Sequence, residues 1–522
     1  MKRYKLFLLW IPALLLILTP ACKDEFLEVE PAGRLSSDIF PQNDEEVFSA
    51  IIGGYAKMQW NYGRDWQSAF VAKVLAGDDA NAAGGGSGDQ PPYQNIDDFV
   101  NEADNPVTTA VWEGFYQTIN HSNTIIERVE PTNALRERVI AEAKAMRAWS
   151  YFELVTLFGD VPLYTVNPTS VSDYHKPRTA KADVYAQIET DLKEAVEDLP
   201  LKSELEENLR FRLTKGAAQA MLGKVYLYQE KWGLAHVEFQ KLIDSPDYEL
   251  EENFSDVWKR VAEYGVESVF EIAYTSHEGY NWGTFAWGGL DESNIHVQLM
   301  GPRAPFFSNL DTLGIIPGWG FNLPTSEIGG AFTAANDTGP RYKASLMSEA
   351  EFLAAGGKIV ADTNDEGEQI PAWDYEKYLR LKYATYASQT NTGDGVVAEL
   401  NYTTNWRLIR YADVLLMAAE AYNEDGDPGT AIDYVNEVRD RAGLDDLTGL
   451  GQADLREAIK RERQLELAFE GARYPDLVRW GDAAEELADE GFQAGRNELW
   501  PIPLTEISAN NEIEQEDQNP GF

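Results

Sequence analysis

Apolar residues recur at three- and four-residue intervals along much of the chain, which is the period of an amphipathic α-helix. One such stripe runs from Trp112 through Tyr116 and Ile119 to Ile126 and holds a polar residue, Asn123, within it. A side chain in that place is expected to be a core amide satisfied by hydrogen bonds. The pattern predicts a mainly α-helical protein. Two further stripes comprise Val47, Ile51, Tyr55 and Met58, and Val184, Ile188, Leu192, Ala195 and Leu199.

Two segments carry the spacing of a tetratricopeptide unit, a repeat of about 34 residues that folds as two antiparallel helices. In residues 217–246, Leu222 and Gly223 occupy the seventh and eighth places of the repeat. Residues 405–439 repeat the spacing, and one such pair cannot bury its apolar face alone. The sequence therefore predicts a scaffold in which other helical pairs pack between and beside these two. The remaining matching positions are Tyr226, Ala235 and Phe239 in the first copy and Ala418, Ala419, Tyr422, Ala431 and Val435 in the second.

Helical periodicity fades in two stretches, 61–105 and 267–401, where glycine and proline are frequent. The second stretch begins with a segment, 267–274, that is typical of a β-strand. The glycine-rich run 84–88 in the first stretch lacks the lysine of a phosphate-binding loop and is interpreted as a flexible loop. We therefore expect a helical scaffold with a little β-structure and two irregular, loop-rich insertions. Binding residues concentrate on loops of this kind.

The chain is strongly acidic. Its 522 residues include 44 basic and 87 acidic side chains, which gives a net charge of −43. A field of that sign repels phosphate backbones and argues against nucleic acid as a partner. The simplest interpretation is a heavily hydrated surface, suited to a saline habitat in which salt screens the self-repulsion.

The amino terminus has the design of an export signal. Basic residues among the first five precede an unbroken apolar run, Leu6 to Leu18, which is too short for a comfortable transmembrane helix. Cys22 is the only cysteine and follows a sequence similar to a bacterial lipobox. Residues 1–21 are thus predicted to be a lipoprotein signal peptide, with 22–40 as lipid anchor and linker and Cys22 as the lipidated residue. An ordinary cleaved signal is the alternative.

Six blocks of sequence, taken in order, carry a family resemblance. They are AEAKAMRAWSYFELVTLFGDVPLY (141–164), NWRLIRYADVLLMAAEAYNE (405–424), VNEVRDRAGL (435–444), ERQLELAFEGARYPDLVRWGD (462–482), ELWPIPLTEI (498–507) and QNPGF (518–522). Together they resemble the SusD/RagB family, the glycan-binding lipoproteins of Bacteroidota, over nearly the whole mature chain. The lysine and two acids that follow Cys22 also resemble the signal that sends such lipoproteins to the outer face of the membrane.

The resemblance implies a mainly α, tetratricopeptide-like fold with neither catalysis nor a cofactor. It implies a lipid-anchored protein of the outer membrane, facing the exterior, that docks on a SusC-like, TonB-dependent transporter. The ligand implied is an oligosaccharide, or less often a peptide. Residues 41–266 then form a SusD-like N-terminal helical region and 267–522 the C-terminal region, in which 267–401 is the loop-rich ligand-binding insertion and 402–522 is helical.

Charged residues inside the C-terminal blocks are interpreted as structural. Glu462 shares a helical face with apolar residues, where an unpaired carboxylate would be costly. Arg473 and Arg479 follow closely and are its expected partners. Arg410 and Asp413 are likewise interpreted as members of buried ion pairs.

Sequence signatures of enzymes are absent. The five histidines form no HExxH pair and no close cluster, and there is no G-x-S-x-G elbow. Residues 362–373 begin like a calcium loop but have Trp373 where such a loop needs a glutamate, so no metal site is expected. Composition alone does not rule out a glycosidase carboxylate pair. A surface glycoside hydrolase therefore stays as an alternative, as does a peptide-binding member of the same uptake machinery.

Aromatic residues in the loops are the best candidates for ligand contact. Four of them fall within residues 280–287 among glycines, where no helical core explains them. Flat aromatic faces stack on the C–H faces of sugar rings, and nearby polar groups can bind the hydroxyls. The alternative is that these aromatics pin the loops down as small local cores. The predicted ligand contacts are Asp78, Asp79, Asn81, Tyr93, Tyr280, Trp282, Trp287 and Trp319.

Overall fold

The computed structural model describes residues 41–64, 66–276, 279–287, 292–363 and 369–522. The predicted signal peptide, Cys22 and the linker lie outside these residues, as does the centre of the calcium-like segment. The helices are α1 (Asp44–Gly63), α2 (Ala69–Leu75), α3 (Pro91–Asp97), α4 (Pro106–Arg128), α5 (Ala134–Phe158), α6 (Lys181–Asp198), α7 (Lys215–Leu227), α8 (Trp232–Ile243), α9 (Ile295–Leu299), α10 (Ser326–Ala334), α11 (Pro340–Ser345), α12 (Glu349–Ala354), α13 (Tyr411–Glu424), α14 (Pro428–Ala442), α15 (Gln452–Glu466), α16 (Arg473–Trp480), α17 (Ala483–Glu486) and α18 (Leu504–Ala509). The strands are β1 (Ala80–Ala83), β2 (Ser268–Ile272), β3 (Phe307–Ser308), β4 (Phe321–Pro324), β5 (Leu346–Ser348), β6 (Lys358–Ile359), β7 (Asp362–Thr363), β8 (Gln369–Ile370), β9 (Tyr378–Arg380) and β10 (Trp406–Arg410).

The long helices form a scaffold of antiparallel pairs. Each helix from α4 to α7 packs against the next, α1 covers α4 and α5, and α13, α14 and α15 pack together. Within α4, Asn123 is buried, donates to the carbonyl of Tyr164 at 3.0 Å and accepts from Arg147 at 2.7 Å. The predicted core amide is therefore confirmed. Among the described helices, none combines the length and apolarity that a membrane crossing requires.

The two predicted tetratricopeptide units are the helix pairs α7–α8 and α13–α14, as expected. Gly223 on α7 permits the close approach, because a Cβ there would stand 2.5 Å from Cε1 of Phe239 on α8. Although far apart in sequence, the two units pack directly on one another through α8 and α13. Tyr422 and Tyr434 both donate to the side-chain oxygen of Gln240 across this interface, at 2.8 and 2.7 Å. The scaffold is thus continuous across the insertion.

The predicted strand at 267–274 is β2, and it pairs antiparallel with β10. Ser268 lies opposite Arg410 and Ile272 opposite Trp406, so the two ends of the insertion meet in one small sheet. The stretch 61–105 is more regular than expected, because α1 runs on to Gly63 and α2, β1 and α3 follow it. Strand β1 pairs with β4 of the insertion and so joins the two irregular stretches. The other pairs among the described strands are β3–β6, β5–β9 and β7–β8.

The burial of Glu462 was predicted correctly, but its partners were not. Glu462 accepts hydrogen bonds from Arg341 of α11 and, at 3.0 Å, from Arg439 of α14. Arg473 and Arg479 instead pair with other acids. Arg341 belongs to the insertion, far upstream of α15, and proximity in sequence could not identify it. The network therefore fixes the insertion to the scaffold.

Arg410 and Asp413 are buried and paired, as expected. The guanidinium of Arg410 lies 2.8 Å from a carboxylate oxygen of Glu267, at the sheet where the insertion begins and ends. Asp413 lies 2.8 Å from Arg463. All four side chains are buried, which suits a structural role for both ion pairs.

Candidate functional site

Three indole rings, those of Trp66, Trp287 and Trp319, lie together where the two irregular stretches meet. We call this surface the tryptophan face and include in it Trp282, which is exposed on the same loop as Trp287. The rings of Trp66 and Trp319 stack with centroids 5.4 Å apart and planes 30° apart. Trp287 lies 6.4 Å from Trp319 at an angle of 24°. The side chains of Trp282 and Trp287 are 56% and 43% exposed, which is unusual for tryptophan. Exposed apolar patches of this kind mark binding surfaces.

A small buried cluster supports this face from beneath. Tyr280 and Phe285 pack edge to face at 5.6 Å, together with Ile295 and Leu400. Asn401 clasps the backbone of Tyr280, accepting its N–H at 2.7 Å and donating to its carbonyl at 2.8 Å. Tyr280 is therefore a core residue of the loop, and its prediction as a ligand contact is not supported by its position. The exposed Trp287 packs edge to face on Phe285 at 4.9 Å, so this cluster supports it directly.

A polar edge borders the face, and sequence analysis did not identify it. Arg303 donates to the carbonyl of Trp319 at 2.8 Å and lies 3.3 Å from Asp89. Asp89 also accepts the backbone N–H of Gly85 at 2.9 Å, which ties down the glycine-rich loop. A guanidinium and a carboxylate beside stacked aromatics suit the hydroxyl groups of a sugar. The only signal in the sequence was the presence of both residues in Gly- and Pro-rich segments.

Asp78 and Asp79, two of the predicted ligand contacts, are buried and engaged within the protein. Asp78 pairs with Arg473 through two carboxylate oxygens, the shorter contact being 2.7 Å. Asp79 accepts the backbone N–H of Phe469 at 2.9 Å. Burial, together with the charge of Asp78, raises the pKa of Asp79 to about 7. These carboxylates fix the loop before β1 to the C-terminal helices.

Asn81 and Tyr93 are also engaged in the interior. Asn81 donates to the side chain of Glu376 at 2.8 Å and to the carbonyl of Asp374 at 3.2 Å. Tyr93 is buried with its ring 6.2 Å from that of Phe321, and burial raises the pKa of its hydroxyl. Tyr93 therefore lies in the core, and the half-buried Asn81 already has hydrogen-bond partners within the protein. Of the eight predicted contacts, Trp282, Trp287 and Trp319 are the ones that reach the tryptophan face.

The described part of the chain holds no cluster of side chains suited to binding a metal ion. No group of three or more His, Cys, Asp or Glu side chains there could hold an ion. His296 is buried with its pKa lowered to about 3, since burial disfavours the charged imidazolium. The site is thus built from aromatic faces and hydrogen-bonding groups.

Two family models match the chain in separate parts. The model described as "SusD family" matches residues 324–494, and the model described as "Starch-binding associating with outer membrane" matches residues 25–227. The domain boundaries given above remain predictions.

Similar proteins are matched over nearly the full length. A solved structure named a laminarin binding SusD-like protein is 32% identical with a TM-score of 0.81, over 92% of this chain and 100% of that one. SusD-like protein P2 of Formosa agariphila is 28% identical over 100% of both chains. SusD-like protein P25 of the same organism is 27% identical over 93% of this chain and 94% of its own length.

Proposed function

The chain belongs to the SusD/RagB family, and on that premise we propose that it captures oligosaccharides at the cell surface on the tryptophan face. The observation that carries the proposal is that the exposed Trp287 lies beside the stacked rings of Trp66 and Trp319, with a second exposed tryptophan, Trp282, on the same loop. Aromatic faces stack on sugar rings, while Arg303 and Asp89 offer donors and acceptors to hydroxyl groups. Binding here is proposed to be non-catalytic.

Laminarin is the first ligand to examine, because a relative at 32% identity is named for binding it. Its neutral glucose units fit a surface dominated by apolar rings, and they avoid the repulsion that a chain of net charge −43 exerts on anionic polymers.

We propose further that the protein is anchored in the outer membrane through Cys22, faces the exterior, and delivers its ligand to a SusC-like, TonB-dependent transporter. Several acyl chains on one cysteine would hold the protein stably at the membrane. Support comes from the lipobox-like sequence and from a matching family model whose description includes association with the outer membrane.

Affinity electrophoresis of the purified full-length protein against a panel of polysaccharides, including laminarin, tests the central claim. We expect retardation by at least one polysaccharide without any shortening of its chains. Shortened chains would favour a surface glycoside hydrolase. If the protein binds components of a peptide mixture and none of the polysaccharides, its ligand is a peptide and the glycan proposal is wrong.

Co-purification in mild detergent tests the partner. A SusC-like transporter is expected to accompany the protein when it is isolated gently from the membrane of the native cell. Recovery of this chain alone, under conditions that preserve other transporter complexes, would contradict the partnership.

A further inference from the structure

A cavity elsewhere in the molecule is lined by none of the residues of the tryptophan face. It is a cavity of about 490 Å³ between α4 and the segment that follows α5, and we call it the α4 cavity. Its volume falls within the range of small-molecule binding pockets. Trp112, Tyr116, Ile119 and Asn123 of α4 line it from one side.

The walls of the α4 cavity are aromatic. Tyr116 packs 5.0 Å from Trp112 and meets Tyr164 edge to face at 6.0 Å. The hydroxyl of Tyr164 donates to the carbonyl of Tyr174 at 2.7 Å, which holds the segment 164–174 against the helix. The side chain of Tyr174 is 59% exposed and also lines the cavity. Its ring is thus presented to solvent while its backbone is fixed.

Polar groups with free hydrogen-bonding capacity surround these rings. Asn120 donates to Asn167 at 3.0 Å, and its own side-chain oxygen accepts no hydrogen bond from the described residues. Gln117 accepts from Lys57 at 3.3 Å, and within the same part of the chain its amide nitrogen donates none. Glu506 accepts from the indole N–H of Trp112 at 3.3 Å. Amides and a carboxylate among aromatic rings offer both donors and acceptors, which is what the hydroxyls of a neutral sugar require.

We propose that the α4 cavity is a second binding site for neutral glycan, and that a long glycan chain occupies it together with the tryptophan face. The ligand class rests on the proposed function, whereas the location rests on the geometry of the cavity alone.

A ridge along α1 connects the two surfaces. Lys57, which contacts Gln117 in the cavity, lies 4.3 Å over the ring of Trp60, and Arg64 lies 4.6 Å from the same ring. Residues 57, 60 and 64 share one side of the helix. The backbone N–H of Gln67 then donates to the carbonyl of Arg64 at 2.7 Å and closes a turn that carries Trp66. Lys57, which lines the cavity, and Trp66, which belongs to the tryptophan face, thus lie nine residues apart in a segment that also carries Trp60 and Arg64.

This arrangement gives long glycans an advantage over short ones. Once one site holds a polymer, binding at the other becomes intramolecular and overall affinity rises without any new contact. A trisaccharide has no such advantage and fills each site independently. Chain length therefore separates two linked sites from a single one.

The test uses purified full-length protein with laminarin as the polymer and laminaritriose as the short ligand. Tyr174→Ala and Asn120→Ala alter the α4 cavity, and Trp282→Ala alters the tryptophan face. Leu234→Ala is the control, since Leu234 is a 52% exposed apolar residue on α8 that lines neither surface. Removing the Tyr174 ring keeps the backbone carbonyl that Tyr164 binds, so the fold is retained.

We expect each cavity variant and Trp282→Ala to weaken laminarin binding about tenfold or more, by loss of linkage between sites. Calorimetry with laminaritriose should give two molecules per wild-type chain and one per Tyr174→Ala chain. The control should match the wild type in both assays.

Other outcomes separate the two proposals. If Trp282→Ala weakens binding while both cavity variants behave like wild type, the second site is overturned and the proposed function stands. If only the cavity variants lose laminarin affinity, the α4 cavity is supported as a binding site and the tryptophan face is contradicted as one. Should wild type bind neither laminarin nor any polysaccharide of the panel, both proposals fail together.

Discussion

Arg473 and Asp78 form a buried ion pair, with Arg473 Nη2 2.7 Å from Asp78 Oδ2. The pair joins α16 to the loop in front of β1, and the guanidinium also contacts Glu486, which is half-exposed, at 2.8 Å. A buried cation that loses its main partner is strongly destabilising, whereas an exposed pair contributes little. Asp78 therefore contributes more than Glu486 to the stability of the fold.

Asp78→Ala should lower the free energy of unfolding by about 3–5 kcal/mol, because the buried Arg473 would lose its main hydrogen-bonded partner. Glycan affinity of the folded protein should be unchanged. Chemical denaturation and affinity electrophoresis measure the two quantities. Glu486→Ala is the control and should cost under about 1 kcal/mol. Reduced affinity with full stability in Asp78→Ala would restore Asp78 as a ligand contact.

Asp79 gives a pH-dependent prediction. Its pKa is raised to about 7 from 3.8, so its contribution to stability is fully present below pH 3.8 and is lost as the pH rises through 7. Asp79→Asn, which has no charge to acquire, should remove that loss and keep an acceptor for the N–H of Phe469. Melting temperatures should fall more steeply for wild type than for the variant between about pH 4 and 7, and the two profiles should run parallel above about pH 8. Parallel profiles between about pH 4 and 7 would mean that Asp79 titrates as an ordinary carboxyl.

Gly223→Ala should destabilise the protein by about 1–3 kcal/mol, because its Cβ would overlap the Phe239 ring. Phe239→Leu removes the ring atoms concerned, so the double variant should recover part of the loss in a mutant cycle. Gly330→Ala is the matched control on α10, where a Cβ meets nothing within 4 Å, and it should be neutral or slightly stabilising. Equal changes in the free energy of unfolding at positions 223 and 330 would show that helix propensity, and not contact with Phe239, determines the effect of Gly223→Ala.

Trp282→Ala or Trp287→Ala should weaken glycan binding by about 1–3 kcal/mol, the range found for bases stacked on aromatic side chains. Thermal stability should change little, since both rings are substantially exposed. Tryptophan fluorescence during a glycan titration reports affinity, and melting the same samples reports stability. Trp373→Ala, a 40% exposed tryptophan outside the face, is the control. A large loss of stability with intact affinity would mean that the rings serve as a local core.

Cys22→Ala should release the protein from membranes, because the predicted lipid anchor would be lost. Cell fractionation with immunoblotting measures the change. Cys22→Ser tests the same requirement for a thiol with a smaller change in polarity. Identical fractionation of wild type and both variants would contradict the lipoprotein assignment.

The scaffold was predictable because its signals are local. Helical stripes and the tetratricopeptide spacing each fall within a few tens of residues, and the structure has both helix pairs where the spacing places them. The strand β2 was likewise evident from a short segment.

The candidate site was predicted only in part, because whether a residue is buried or exposed depends on partners that are distant in the sequence. Asp78 looked like an exposed loop acid, yet its arginine lies 395 residues downstream. Glu462 was assigned Arg473 and Arg479, which follow it closely in the sequence, whereas Arg341, 121 residues away, reaches it through the fold. Aromatic content did indicate the loop 280–287, but only the fold separates the buried Tyr280 from the exposed Trp282.

The pairing of β2 with β10 makes the segment between them a loop with a closed neck. The entropic cost of closing a loop grows only with the logarithm of its length, so residues can be added beyond the neck at little expense to the scaffold. The charged contacts of Arg410 with Glu267 secure the neck itself. The segment that carries Trp282, Trp287 and Trp319 can therefore change in length and sequence during evolution while the helical pairs stay the same. Ligand specificity can thus diverge on a constant scaffold.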